Sequence, residues 1–88
     1  MKKLIEKFIE ENKLDLSETG SALNSTCCII AGYALYIGID HAHTLCSILL
    51  EKLDSDTDTE LERVFNYAKS KNYGEWWKSE EAKKQYKF

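Results

Sequence analysis

The stretch TGSALNSTCCIIAGYALYIGI, residues 19–39, carries no charged side chain. It lies within a wider interval, from Glu18 to Glu51, whose only formally charged residue is Asp40. The flanks are charge-dense. An uncharged run of this kind must be hidden from water, in a bilayer or in a core. Its first part holds Thr19, Gly20, Ser21, Asn24, Ser25 and Thr26. The apolar remainder is shorter than the ~20 residues that cross a bilayer. The run therefore reads as a buried central helix over residues 19–37, with no membrane span. Leu23, Thr26, Ile30, Tyr33 and Ile37 would form a large-residue stripe, and Cys27, Ala31, Ala34 and Gly38 a small one. The alternative is a small α+β domain with strands within 26–39, because Ile and Tyr favour pleated surfaces.

Working outward, residues 1–13 read as an amphipathic helix with Leu4, Ile5, Phe8 and Ile9 on one stripe. Asp15, with Glu18 three residues on, fits a capping box for the central helix. Gly38 can end that helix in a left-handed conformation, and Asp40 can cap the next, over residues 41–53. Residues 54–57 read as a linker. A fourth helix is expected over residues 58–71, with Leu61, Val64, Phe65 and Ala68 inward and Asn72-Tyr73-Gly74 as its break. A last helix starts at Glu75 or Ser79 and ends near Tyr86, with Glu80 and Lys84 as an i,i+4 pair. The expected fold is all-α: four to five helices around a central apolar helix, in a single domain over residues 1–88. No proline interrupts it.

Composition narrows the functional classes. The net charge of −3 disfavours nucleic-acid binding, which relies on clustered Lys and Arg. The N-terminal residues lack the apolar core of a signal peptide, because Glu6, Lys7, Glu10 and Glu11 interrupt it. A cytoplasmic location follows, and with it reduced thiols. Three cysteines, two of them adjacent, do not make a disulfide framework.

Two segments imitate metal sites. Asp54, Asp56 and Asp58 match the first, third and fifth ligands of a calcium loop, but Thr59 and Phe65 replace its glycine and its bidentate glutamate. Capping by Thr57-Asp58-Thr59-Glu60 explains the acids better. His41, His43, Cys46, Cys27 and Cys28 suggest zinc. In a helical hairpin, however, Cys28 and Cys46 would be offset by ~6 Å at the helical rise, too far for short side chains. No metal or cofactor is expected. A Cys–His nucleophile would use the same residues with no orienting third group, and no phosphate-binding glycine loop is present. The chain reads as a non-enzyme.

The charged flanks remain. Residues 51–62 hold six acids against Lys52, and residues 63–88 hold seven bases and seven of the ten aromatic residues. Trp, Tyr and Arg are enriched at binding hot spots. The expected function is a non-catalytic protein-interaction module, an adaptor or an inhibitor of a larger protein. Its surface would comprise Arg63, Lys69, Tyr73, Trp76 and Trp77. Trp76 and Trp77, being adjacent, cannot both point inward on one helix. One alternative is an acidic, nucleic-acid-mimicking inhibitor using Asp54, Asp56, Asp58, Glu60 and Glu62. Another is a single-stranded nucleic-acid binder working through the aromatic, basic C-terminal part. The partner is another protein of unknown identity. A second copy of the chain is also expected to be able to cover the apolar helix.

Overall fold

The computed structural model describes residues 1–88 as five α-helices and two 3-10 segments, with no strand. The uncharged run is helix α2, Gly20–Tyr36, so the strand alternative within 26–39 is excluded. Leu23, Thr26, Cys27, Ile30, Ala31, Gly32, Tyr33 and Ala34 are all buried, covering most of its circumference. A helix apolar on most sides has to be surrounded. Here α4, Ser55–Ser70, lies along it, with α1, Lys2–Glu11, and the 3-10 segment Tyr73–Lys78 against its other faces. Helix α3, Ala42–Ile48, packs on α4, and α5, Glu80–Gln85, on the 3-10 segment. One contiguous core of 21 residues joins these elements, with Phe8, Ile30, Leu45, Leu61 and Phe65 at its centre.

Helix α1 is shorter than its apolar pattern suggests, and Leu4 is 49% exposed rather than part of the buried stripe. Lys13 adopts a left-handed conformation, φ 53°. Its N–H donates to the Glu10 carbonyl and that of Leu14 to the Ile9 carbonyl, a Schellman ending built without glycine. Gly38, φ 104°, ends α2 in the same way as expected.

Other caps differ from the sequence reading. Asp15 accepts from the backbone and hydroxyl of Ser17, at 2.8 and 2.6 Å, so it makes a local turn instead of a capping box. Glu18 accepts instead from the buried Thr26 hydroxyl at 3.3 Å. Asp40 does not cap α3: its carbonyl and carboxylate are taken by Lys69, at 2.7 and 3.3 Å, and the N-cap is His41. The helix expected over residues 41–53 breaks at Leu49 into the 3-10 segment Leu50–Lys52. Helix α4 begins three residues early, because Asp54 caps it by accepting from the Thr57 N–H at 2.8 Å. Thr57 itself is buried. Leu61, Val64, Phe65 and Ala68 face inward as expected. Ser79 caps α5, and Glu80 pairs at 3.9 Å with Lys83, not Lys84.

Candidate functional site: an aromatic groove

Asn72, φ 56°, ends α4 and turns the chain back across α2. The 3-10 segment that follows can lie close to α2 because both sides supply a glycine. A Cβ at Gly74 would sit 3.0 Å from Leu35 Cβ and 3.2 Å from the Tyr36 backbone nitrogen. A Cβ at Gly32 would overlap Trp77 Nε1 and lie 3.2 Å from its Cδ1. The Trp77 indole is thereby sunk into the core, 3% exposed. It packs edge-on to Phe8 and Tyr33, with ring centroids 5.4 and 5.8 Å away.

Trp76 points the other way and is 39% exposed. Its ring stands at right angles to Trp77, centroids 5.3 Å apart, and lies 6.1 Å from Tyr86. Between these rings and α2 opens a recess of about 330 Å³ lined by Cys28, Ile29, Tyr73, Trp76, Trp77 and Tyr86. Every lining residue is apolar or aromatic. Tyr73 leans on the exposed Tyr67 ring, centroids 5.8 Å apart and nearly perpendicular. A smaller recess of about 140 Å³ continues past Cys28 to Asn24, Arg63, Val64 and Tyr67.

The five residues expected to form a partner surface are thus sorted by the fold. Tyr73 and Trp76 flank the groove, and Arg63 stands at its α4 end. Trp77 forms the groove's floor, its ring sunk into the space that Gly32 leaves and only 3% exposed. Lys69 lies elsewhere, bound to Asp40 in a separate polar recess with Leu35, Tyr36 and Lys78. Residues 63 and 69 of one helix point to different sides. Arg63 is itself engaged, donating to both Glu60 carboxylate oxygens at 2.8 and 2.9 Å. Asn24 donates to the same carboxylate at 3.2 Å. Asn24 first, then Arg63, hold Glu60 below its ordinary pKa.

Sequence reasoning missed Cys28, Ile29 and Tyr86. Cys28 lies four residues before Gly32, so both share the α2 face that the segment crosses. That spacing was the available signal.

The acidic surface is partly consumed by structure. Asp54 is a helix cap, Glu60 is bound as described, and Asp58 is half-buried. Asp56 and Glu62 remain exposed.

No group of three or more His, Cys, Asp or Glu side chains converges on a point. His41 and His43 are exposed while Cys27 and Cys46 are buried. Burial, aided by nearby acids, pushes both thiols up to about 12. Such thiols remain protonated and poorly nucleophilic at neutral pH. No helix is long and apolar enough to cross a membrane. No protein-family model, curated protein or solved structure matches this chain.

Proposed function

We propose that the protein is a non-catalytic, cytoplasmic interaction module, an adaptor or inhibitor, that captures an apolar side chain of another protein in the aromatic groove. The observation that carries this reading is the recess lined wholly by apolar and aromatic residues, with Trp76 and Tyr73 standing half-exposed beside it. Half-exposed aromatic residues around a desolvated pocket are the usual make-up of a binding hot spot. Arg63, already oriented by Glu60, would provide a polar rim at the α4 end. The groove offers shape and desolvation and holds no activated nucleophile.

Affinity capture from native cell extract, followed by titration of the captured partner, tests this reading. Trp76→Ala should weaken binding by about tenfold or more, the effect of removing a hot-spot residue, while leaving the circular dichroism spectrum intact. Unchanged affinity for the folded Trp76→Ala protein would overturn the assignment.

A further inference from the structure

A second recess, of about 430 Å³, opens on the other side of Tyr86, between α1 and the last residues of the chain. Its base is the Phe8–Tyr33 pair, rings parallel with centroids 4.0 Å apart and both buried. Leu4 and Phe88, 49% and 44% exposed, form apolar walls. Lys7, Lys83 and Lys87 stand around the mouth, and Glu11 is the only acid lining it. Glu11 pairs with Lys7 at 3.7 Å. Lys83 in turn reaches Glu80, outside the recess, at 3.9 Å, which leaves Lys87 as the lining cation without an ion pair, on a chain whose net charge is −3.

The wall is held in place deliberately by side-chain bonding. Asn12 Nδ2 donates to the Lys87 carbonyl at 2.9 Å, and the Lys87 N–H donates back to Asn12 Oδ1 at 2.8 Å. This reciprocal pair, with Phe88 edge-on to Tyr33 and Trp77 at 5.7 and 5.3 Å, fixes residues 87 and 88 over the core.

We infer that this recess binds a small amphipathic anion: an alkyl or aryl body carrying one carboxylate. Its volume falls within the range of small-ligand sites, roughly 300–1,000 Å³, which pair an apolar interior with a few placed polar groups. The apolar body enters between Leu4 and Phe88, and the carboxylate stays at the mouth, beside ammonium groups that need not be desolvated. Single-stranded nucleic acid fits less well. Bases stack on free ring faces, and Phe8 and Tyr33 cover each other's. The site is independent of the aromatic groove and shares only Tyr86 with it.

The test is an amide NMR titration of the full chain with naphthalene-2-carboxylate and, in parallel, naphthalene-2-carboxamide. The carboxylate should give saturable shifts over residues 4–11 and 83–88, and the neutral amide should bind more weakly. Combined Lys83→Gln and Lys87→Gln substitution should weaken the carboxylate by about three- to tenfold, the sum of two exposed charge contacts, and leave the amide unchanged. Trp76→Ala should alter neither. Equal affinity for the two probes, shifts centred on Tyr73 and Trp76, or no saturation would overturn the assignment. So would displacement of the carboxylate from these resonances by a thymidine oligonucleotide.

Discussion

Gly32 shows how far one residue's role can lie from its local pattern. In the sequence it is a helix-interior glycine, a small loss of helix propensity and nothing more. Its purpose becomes visible only with Trp77, 45 positions away, whose indole fills the place of a side chain. Periodicity cannot report a contact at that separation. Gly32→Ala should lower stability by about 1–2 kcal/mol: overpacking costs about 1–3 kcal/mol, and the gain in helix propensity offsets up to about 1 kcal/mol. Urea denaturation measures the loss. Adding Trp77→Phe should recover part of it, because the smaller ring clears the new methyl group. A stabilised Gly32→Ala protein would show that the indole is free to move aside. The adjacent tryptophans were more legible. Adjacent rings on one helix cannot both point inward, and the fold seats Trp77 in the space beside Gly32 and leaves Trp76 exposed.

Helix identity and inward faces could be read at the level of elements, and helix ends could not. Residues 61, 64, 65 and 68 were read as inward from spacing alone, and all are buried. The start of α4 differs from the sequence expectation because two overlapping cap signals compete, Asp54 with Thr57 and Thr57 with Glu60. Burial of Thr57 and the pull of Asn24 and Arg63 on Glu60 decide for the first. This choice gives the acid limb of stability a definite sign. Asp54 is held below its ordinary value of 3.8, first by the Thr57 N–H. Asp15 is held low by Ser17, and Glu60 by Asn24 and Arg63. Each folded-state value is depressed, so each contribution is complete above the unfolded-state value and disappears as pH falls toward the folded one. Thermal melts of the wild type should therefore decline between about pH 5 and pH 2, modestly, because all three carboxylates are open to solvent screening. Asp54→Asn keeps a competent cap without titrating, so its melting temperature should fall less across the same interval. Parallel pH profiles for the two proteins would discount the cap.

Across the whole molecule, the fold separates what the sequence blends. The aromatic, basic end reads as one surface along the chain. In three dimensions Tyr73, Trp76 and Ile29 border an apolar groove, while Phe88, Lys83 and Lys87 border a cationic recess, with Tyr86 between them. Fluorescence distinguishes the two tryptophans. A Trp76→Phe protein, reporting Trp77 alone, should emit at short wavelength and resist acrylamide quenching. A Trp77→Phe protein should emit to the red and be quenched readily. Equal quenching would place both rings at one depth and remove the groove's floor. The buried circumference of α2 has a final consequence, one of cooperativity. The other helices each turn one apolar face inward, and that face rests on α2 or on something that does. Helix α2 has no charged stripe to show water, and eight of its residues are buried by the elements around it. No piece of the chain can therefore stay folded while another melts. Loss of the 3-10 segment uncovers α2, and loss of α2 leaves every neighbour unsupported. Unfolding should be all-or-none, and both recesses then exist only for as long as the entire assembly does.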